Sequence, residues 1–490
     1  MQKNINEFKY GKNLFYIFLF FSILFFTNIK DIYPQKTNIK SSNDTLKIKP
    51  LSLNECIRIA LENNHKIRAA REDILIATAQ KKQAESGYWP QVSANAAYSL
   101  TNQDPLFILP SFKMSIPPIS AFGSTINMGD IQVPQEDIKL MDKQNIHASI
   151  DITYPLYTGG KIQALNKEAQ SGIEIADQEY KKSNMEIDYD IKRFYYAVVL
   201  AKRIYKIGID ALDRLNITLE LTESLYKNGS GKTTKLDYLK NKVLVDEVKT
   251  LVSGLKTNIR SAKQALMFSM GTDKDFNLPD EEIPFDTSNW SKADLLIKAF
   301  KSNPDWNKLI AAVSVYKAKI EEAKSGFLPS LAIIGSFNQN FNSYKYGITN
   351  KINSSIWMIG LGAQIPIFNG FRTKNEINEA GAQLRKIDEQ KHLLHDAIIL
   401  QTEESLNKIE SSTKKVRDTF EAKQSAAESC SLTERAFQQD MADAKDLIQA
   451  QILESFMDVQ YQKALYDHAM AEANLELIIG SKIMKTRSWE

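Results

Sequence analysis

Four short segments of the chain alternate between apolar and polar residues with a period of two, which predicts β-strands. They cover residues 91–100, 146–157, 330–341 and 355–368. With histidine counted as neutral, Asp151 is the only charged residue within them. Segments of about ten residues with one apolar face and one small or polar face are typical of transmembrane β-barrel strands. The alternative is a soluble antiparallel sheet with one face on a core.

Long stretches between these segments follow the pattern of helices. The fourteen prolines leave two gaps, between Pro155 and Pro279 and after Pro366. Because proline interrupts helices, both gaps are free to be helical. We predict unbroken helices over 161–227 and 371–438, each about 67 residues and about 100 Å long at 1.5 Å per residue. Shorter helices are predicted at 52–87, 232–270, 291–326 and 445–479.

A heptad seam of apolar residues runs along the first long helix from Phe194 to Tyr226, in alternating steps of four and three. The matching positions of the second long helix, from Ser405 to Phe437, are smaller and more polar. The second seam is therefore either more polar and hydrated than the first, or its heptad register is shifted from the one assigned here. Two long helices that pair with stacked short ones predict an elongated bundle with room for a central hollow.

The chain contains a tandem repeat. Ser52–Pro90 aligns with Ser291–Pro329 at a constant shift of 239 positions, and both segments open with a Ser-x-x-acid capping box and close with Ser-Gly-aromatic-x-Pro. Further on, YPLYTGGK at 154–161 aligns with IPIFNGFR at 365–372. The sequence therefore predicts repeat 1 at 52–288 and repeat 2 at 289–482, with helix-hairpin tips at about 228–231 and 439–444.

The two ends of the chain lie outside this repeat. Residues 1–30 contain lysines followed by the apolar run Leu14–Thr27, which is short for a membrane span and fits a secretory signal peptide. An uncleaved membrane anchor is the alternative. Residues 31–51 are interpreted as an N-terminal linker, and residues 483–490 as a C-terminal tail.

Barrel closure sets the number of copies. Four strands in one chain leave two unpaired sheet edges, which lipid does not tolerate because no water is there to bond free N–H and C=O groups. Two chains would give eight strands and an interior filled by side chains, whereas three would give twelve strands and an open lumen. A hollow exported bundle that ends in such a barrel is a conduit, which favours a trimer.

The segment 101–145 is predicted to be an outward-facing loop above the barrel, because the other strand ends run into helices.

Composition excludes several other functions. The 490 residues carry a net charge of +3, most of it in the first 34 residues, so there is no electrostatic footprint for nucleic acid. Cys56 and Cys430 are too few for a disulfide framework or a Cys-rich metal site. The segment 228–234 (NGSGKTT) is similar to a phosphate-binding loop, but Tyr226 stands where its first glycine is required. We predict no cofactor, no metal site and no catalytic residue.

The repeated motifs resemble those of the TolC-type outer-membrane efflux proteins, the outer membrane factors. The resemblance covers about 52–480 and rests on the segment 51–99, on YPLYTGGK, and on the counterparts SGFLPSL and IPIFNGFR in repeat 2. It implies a membrane α/β channel. In this family a homotrimer forms a 12-stranded outer-membrane β-barrel, four strands per chain, that is continuous with a long periplasmic α-helical barrel.

The resemblance also implies a function. Such a protein is the outer-membrane exit duct of a tripartite efflux or type I secretion system and conducts substrates passively from an inner-membrane pump of the RND or ABC type. Its partners are that pump, a periplasmic adaptor (membrane fusion) protein and outer-membrane lipid. Energy comes from the pump, so the chain is not expected to be an enzyme. Drugs, metals and proteins all stay open as substrates. An exported structural coiled-coil or adhesin-like protein without channel activity is the alternative.

The same resemblance places a periplasmic gate and an adaptor contact at the hairpin tips. By motif position Asp446 matches one of two gate carboxylates and Gln449 replaces the other, while Phe437 and Ala442 stand where the family has a Tyr/Arg latch. A ring of three Asp446 carboxylates is therefore expected; the alternative is a solvated charge after a turn. The expected adaptor-docking residues are Asn228, Gly229, Ser230, Gly231, Asp440 and Asp443.

Overall fold

The computed structural model describes residues 50–103, 106–139, 143–228, 233–287, 290–341 and 353–483. The predicted signal peptide lies outside these ranges, together with residues 31–49 of the predicted linker and 484–490 of the predicted tail. The helices are α1 (Leu53–Asn63), α2 (His65–Ser86), α3 (Lys161–Lys227), α4 (Lys235–Met270), α5 (Lys292–Ser302), α6 (Pro304–Ser325), α7 (Arg372–Gln438) and α8 (Ala444–Ile479). In the part of the chain so described, no helix combines the length and apolar character needed to span a bilayer.

The strands alternate with these helices. They are β1 (Gln91–Leu100), β2 (Leu106–Leu109), β3 (Phe112–Ser115), β4 (Ile119–Ala121), β5 (Ser124–Ile126), β6 (Asp130–Val133), β7 (Glu136–Lys139), β8 (Gln144–Tyr157), β9 (Ser330–Phe341) and β10 (Asn353–Gln364). The strand predicted over 355–368 is wrong at its end, because β10 stops at Gln364. Pro366 follows two residues later and has no N–H to donate to a ladder.

The four long strands form one antiparallel sheet in the order β1, β8, β9, β10. On one face the register aligns apolar side chains in rows across the sheet, such as Ala94, Ile150, Phe337 and Trp357. Among the described residues, β1 and β10 each have a partner strand on one side only. The sheet of one chain therefore ends in two open edges.

The opposite face of the sheet is polar around Asp151. Its Oδ2 accepts hydrogen bonds from Asn95 Nδ2 and from Ser149 Oγ, each at 2.9 Å. Further along this face, His147 Nδ1 and Asn340 Oδ1 lie 2.8 Å apart. The charge of the strands is thus held among polar groups, on the face opposite the apolar rows.

Residues 106–139 form a folded hairpin, which corrects the prediction of a loop over 101–145. Three ladders, β2 with β7, β3 with β6 and β4 with β5, pair antiparallel in succession. The tip is Phe122–Gly123, where φ is 56° and 77°. Apolar runs of three or four residues between prolines such as Pro110 and Pro134 are too short to be recognised by period alone, although pairing with each other stabilises them as strands.

The helix predicted over 52–87 is broken at Asn64. Its backbone is extended (φ −64°, ψ 128°), its Oδ1 accepts a hydrogen bond from Lys66 N at 2.8 Å, and its Nδ2 donates to Ser269 O at 2.8 Å. The same side chain therefore caps α2 and holds the end of α4. The prediction of a continuous helix is wrong because this tertiary contact outweighs local helix propensity.

Repeat 2 breaks its helix, predicted over 291–326, at the equivalent Asn303. Asn303 Oδ1 accepts a hydrogen bond from Trp306 N at 2.9 Å, and Nδ2 donates to Ile478 O at 2.7 Å. The duplication thus preserves a three-way junction in which an asparagine joins two short helices to the end of the return helix.

The long helices form one layer. α3 contacts α2 and α4 along one side and α6 and α8 along the other, and α7 lies beyond α6 and α8. The layer therefore ends in α2 and α4 on one side and in α7 on the other. The edge strands of the sheet are connected to these outer helices: α2 leads into β1, and β10 leads into α7. The open edges of the sheet and of the helical layer therefore lie on the same two sides of the chain.

The seam of α7 is in the predicted register and is wetter than that of α3. Six of its predicted positions are buried: Ser405, Ile409, Ser412, Val416, Ala426 and Cys430. Ser412 Oγ lies 3.0 Å from Nδ1 of the buried His468. In α3 the seam residues Val198, Leu215 and Thr222 are buried, and other parts of its seam are only half-buried. The buried seam of α7 thus includes serines, of which Ser412 forms a hydrogen bond with the neighbouring helix, alongside its apolar residues.

The connection between the repeats belongs to the core. Phe276, Leu278 and Ile283 are buried. Tyr195 Oη donates a hydrogen bond to Glu281 Oε1 at 2.6 Å. Burial, together with this carboxylate, raises the pKa of the Tyr195 phenol above its ordinary value. The connection is therefore fixed across α3 and is not a free linker.

Candidate functional site at the helix-hairpin tips

The second hairpin turns through a residue in the left-handed conformation. After α7, Asp440 has a φ of 60°, Asp440 N donates to Phe437 O at 3.1 Å, and Met441 N donates to Ala436 O at 2.8 Å. This is a Schellman ending, which usually places glycine where Asp440 stands. At the equivalent position of repeat 1, 211 residues earlier, the sequence has Gly229. Phe437, half-buried in the last turn of α7, contributes its carbonyl to the turn.

Asp446 lies in the first turn of α8 with its side chain exposed. Asp443 is the N-cap residue of this helix, and its carbonyl accepts a hydrogen bond from Asp446 N at 3.0 Å. A carboxylate in the first helical turn is stabilised by the helix dipole. Gln449, one turn further on, is also exposed on the same face. The structure therefore brings these two predicted gate residues together.

The exposed face of α8 continues beyond the predicted gate. Leu453 and Phe456 follow at helical spacing and are 46% and 52% exposed. The other side of α8, including Leu447, Ile448 and Gln451, is buried. The face that carries Asp446 thus points away from the contacts that α8 makes within its own chain. The spacing of Leu453 and Phe456 was the signal available in the sequence for this extended face.

The first hairpin uses the equivalent aspartate differently. Asp237 precedes Asp446 by 209 positions and also lies in the first turn of its helix, α4. Thr234 N donates to Asp237 Oδ2 at 3.1 Å, Thr234 Oγ1 donates to the same oxygen at 2.6 Å, and Asp237 N donates to Thr234 Oγ1 at 3.2 Å. These bonds lower the pKa of Asp237 below its ordinary value. Its carboxylate is engaged in the helix cap.

In repeat 2 the cap residue is Asp443 instead of threonine, and its side chain makes no cap hydrogen bond. A reciprocal box needs only side-chain acceptors for two backbone N–H groups, which two carboxylates can supply, but Asp443 makes no such bond here. Within the described ranges, the Asp446 carboxylate has no hydrogen bond or ion pair. One substitution at the cap thus distinguishes the two repeats and leaves Asp446 available.

The remaining predicted docking residues are distributed between the tips. Asn228 is exposed at the end of α3, where its N–H donates to Ser224 O at 3.0 Å. Gly229, Ser230 and Gly231 lie outside the described residues. Asp440 and Asp443 are exposed. Across the first hairpin, the rings of Tyr226 and Tyr238 stack with centroids 6.3 Å apart and an interplanar angle of 6°.

The two hairpins of one chain are tied together just behind the tips. Arg214 Nη1 of α3 lies 2.6 Å from Glu454 Oε2 of α8, and Thr218 Oγ1 donates to Gln451 Oε1 at 3.3 Å. Burial raises the pKa of the neighbouring Cys430 thiol to about 11, with help from its hydrogen bond to Glu454. Sequence reasoning did not find this contact, because its partners lie more than 200 positions apart and no periodicity links them.

No metal centre is evident in the described ranges, where three or more His, Cys, Asp or Glu side chains do not meet in a suitable group. His395 stacks on Phe300 with ring centroids 4.9 Å apart. Its Nδ1 lies 3.0 Å from Asp396 Oδ1. Packing and a surface contact account for this histidine.

These features define a class of protein. A sheet with an exposed apolar face and two open edges, continuous with long paired helices, is suited to close with other copies into a β-barrel in a membrane. The molecule is therefore a channel-forming protein of the outer-membrane type. More specifically, the chain belongs to the outer membrane efflux protein family, whose model matches residues 56–272 and 295–481. The two matched regions correspond to the two repeats.

Solved outer-membrane channels have the same fold at low sequence identity. The Campylobacter jejuni CmeC outer membrane channel is 14% identical, with a TM-score of 0.68 over 92% of this chain and 95% of its own. The open state of the Neisseria gonorrhoeae MtrE outer membrane channel is 14% identical, with a TM-score of 0.67 over 92% and 97%. The outer membrane protein VceC from Vibrio cholerae is 15% identical, with a TM-score of 0.66 over 88% and 96%. Among curated proteins there is no significant match.

The family and the fold confirm four predictions: the resemblance to TolC-type proteins, a β-barrel sheet continuous with a long α-helical part, a function in efflux, and a location in the outer membrane with a large periplasmic portion. The family is one of channels and is not defined by an enzymatic activity. The roles of Asp446, Gln449, Phe437 and the docking residues stay predictions.

Proposed function

We propose that three copies of this chain close into a passive exit duct that serves a tripartite efflux or type I secretion system. An inner-membrane pump of the RND or ABC type supplies the energy, a periplasmic adaptor protein joins pump and duct, and the chain itself catalyses no reaction. The observation that carries this proposal is the pair of open edges, which occur on the same two sides of the sheet and of the helical layer.

Both edges present apolar side chains that the described part of the chain leaves exposed. Leu75 and Ile76 on α2 are 57% and 54% exposed, and Leu393 and Leu400 on α7 are 72% and 57% exposed. One side of a copy therefore fits the opposite side of the next. Such head-to-tail contacts close into a ring when the rotation permits. Three copies give twelve strands and a lumen, whereas two give a barrel that side chains fill.

The gate follows from that symmetry. Three-fold repetition brings three Asp446 carboxylates around one axis, next to three Gln449 side chains. Negative charges in a narrow passage attract cations and disfavour anions. Asp237 occupies the equivalent position of repeat 1, but its carboxylate is held by Thr234. One ring of available charge per trimer, from Asp446, is therefore proposed, with Phe437 as the alternative constriction.

The adaptor contact is proposed at the tips themselves, where the two hairpins differ in charge. The first carries Lys227 and Lys235 near its turn, and the second carries Asp440 and Asp443. Around a trimer, basic and acidic tips would alternate. Such a pattern fixes the register of a partner more than it adds affinity.

Cysteine cross-linking tests the trimer. Ala96→Cys on β1 combined with Ser355→Cys on β10, two positions on the same face of the sheet, should give covalent dimers and trimers under oxidation, and no larger species. The matched control is Ser149→Cys with Asn338→Cys, which face each other within one chain and should cross-link only internally. The native thiols are buried and do not interfere. Dimers without trimers, or purified protein that gives no conductance in planar bilayers, would overturn the proposal.

Single-channel recording tests the gate. Asp446→Asn should weaken cation selectivity and block by divalent and trivalent cations, with little effect on trimer stability because no partner is orphaned. The matched control is Asp237→Asn, which should weaken the start of α4 without changing selectivity. Asp440→Asn and Asp443→Asn should reduce adaptor binding more than conductance. Unchanged selectivity and unchanged block in Asp446→Asn would remove the carboxylate ring and leave Phe437 as the constriction.

A further inference from the structure

A groove of about 760 Å³ lies between α2, α3 and α6, near the ends of these helices that lead to the sheet. Four lysines line it, Lys81, Lys167, Lys317 and Lys324, whereas Glu321 is the acidic residue in its wall. Asn166, Gln170 and Ser314 add polar groups. The lining is therefore strongly basic although the chain as a whole is nearly neutral.

Two of the four lysines are not neutralised. Lys81 pairs with Glu85 at 2.6 Å and Lys324 with Glu321 at 2.9 Å. Lys167 and Lys317 are exposed and make no ion pair within the described parts of the chain. Uncompensated ammonium groups that converge on a polar groove favour a phosphate or another anion.

The groove lies beside the membrane boundary. At the junctions of helix and strand, exposed aromatic side chains follow directly on α2 and α6: Trp89 is 69% exposed and Phe327 is 55% exposed. Aromatic belts of this kind mark the interface of a membrane. Lys324 precedes Phe327 by three residues, about 4.5 Å along a helix, and Lys81 precedes Trp89 by eight, about 12 Å. A lysine side chain is long enough to bring its ammonium group from there to headgroup depth.

The groove opens on the outer side of the helical layer. On α3 it includes Lys167 and Gln170, which belong to an exposed stripe that also contains Gln163 and Glu174. On the opposite side of α3 the residues are apolar and less exposed: Leu165, Ala169 and Gly172 are half-buried and Ala176 is buried. A layer that curves into a barrel buries its concave face more than its convex face. The lysines thus face outward, beside the leaflet next to the helices, and not toward the lumen.

We propose that this groove binds the phosphate headgroup of an anionic phospholipid from the leaflet next to the helices. Basic pockets between helices at a membrane surface hold such headgroups, and lysines near the surface each strengthen the attraction. The unpaired Lys167 and Lys317 contact the phosphate, the polar side chains of the groove contact the glycerol, and the acyl chains run past the aromatic belt toward the sheet. The inference rests on the outer-membrane location and is independent of which pump the duct serves.

Native mass spectrometry of delipidated trimer tests the site. The probes are phosphatidylglycerol and phosphatidylcholine with the same acyl chains. Lys167→Gln with Lys317→Gln should weaken phosphatidylglycerol binding about 30-fold, from two lysine contributions. The charge-matched control, Lys249→Gln with Lys414→Gln, changes two exposed lysines outside the groove and should leave binding unchanged. Phosphatidylcholine binding should be weak in both variants.

Three results would overturn the proposal. These are unchanged phosphatidylglycerol binding in the groove variant, an equal loss in the control variant, and displacement of the lipid by excess inorganic phosphate, which would indicate a site for soluble anions. Circular dichroism confirms that the variants fold. Planar-bilayer conductance should be retained in the groove variant. Unchanged lipid binding in that variant would therefore overturn the lipid site without affecting the channel function. Absence of conductance would overturn the channel function without affecting the lipid site.

Discussion

The return helix of each repeat ends in a glycine that packs against the helix break of the same repeat. Gly271 and Gly480 both adopt left-handed backbone conformations, with φ of 66° and 76°. A Cβ placed on Gly480 would lie 2.5 Å from Ser302 O and 2.6 Å from Asn303 Cα and N. These neighbours are backbone atoms and cannot rotate away. Gly480→Ala must therefore displace the end of α8 from the junction between α5 and α6.

The size of this effect follows from two contributions. A left-handed conformation destabilises a residue with a Cβ by about 1–2 kcal/mol. Forcing an extra methyl group into a packed contact adds about 1–3 kcal/mol. We expect Gly480→Ala to lower the free energy of unfolding by about 2–5 kcal/mol. The hydrogen bond from Asn303 Nδ2 to Ile478 O, at 2.7 Å, should weaken with it because the helix end moves.

Thermal unfolding in detergent, followed by far-UV circular dichroism, measures the change. The matched control is Gly254→Ala in the interior of α4, where a Cβ meets nothing within 4 Å. Alanine is favoured over glycine there by about 0.5–1 kcal/mol, so this variant should melt above the wild type. The two substitutions should thus shift Tm in opposite directions. If Gly480→Ala melted with the wild type or above it, the close contact between α8 and the junction would be refuted.

Three further predictions concern other parts of the chain. An epitope tag inserted at Gly123, in the hairpin tip, should bind antibody on intact cells; access only after the outer membrane is permeabilised would mean an inverted orientation. Burial raises the pKa of the Cys56 thiol to about 12 and that of Cys430 to about 11, so both should resist maleimide until the protein unfolds. Unfolded thiols ionise near pH 9, so the stability that depends on the buried, protonated thiols is complete below pH 9 and is lost as pH rises toward 12. Tm should therefore fall between pH 9 and 12, and it should fall less steeply in Cys56→Ala. An equally steep fall of Tm in Cys56→Ala would contradict the raised pKa of Cys56. Asp440→Gly should raise the free energy of unfolding by about 1 kcal/mol, because glycine relieves the left-handed conformation, whereas a lower Tm would show that the aspartate side chain stabilises the turn.

Local patterns were sufficient for several features of the fold. Period-two alternation located the four long strands. The absence of proline allowed long helices, and the repeat motifs and hairpin tips located α3 and α7 to within one residue at each end. The repeat placed Asn64 opposite Asn303 and Gly271 opposite Gly480. These features depend on interactions between residues close in sequence, or on the identity of aligned positions, and both can be read from the sequence.

The two helix breaks have different causes. At Asn303 the next residue, Pro304, disfavours a continuous helix by itself. Asn64 has no proline after it and is compatible with a helix, so the contact with the distant carbonyl of Ser269 makes that break favourable. The pairing of β8 with β9, which joins the two repeats into one sheet, is also a long-range contact. The short strands of the hairpin form only because each has its partner across the turn.

The candidate gate divides in the same way. The resemblance located Asp446 and Gln449, and the helical spacing put both on one face of α8. The sequence also contains Asp237 at the equivalent position of repeat 1, and by residue type alone the two aspartates are the same. The local structure of the helix caps distinguishes them, because the Asp237 carboxylate accepts hydrogen bonds from Thr234 N and Oγ1 whereas the Asp443 side chain makes no cap hydrogen bond. The sequence therefore determined where the carboxylates are, and the geometry of the helix caps decided which of them is available to a passing ion.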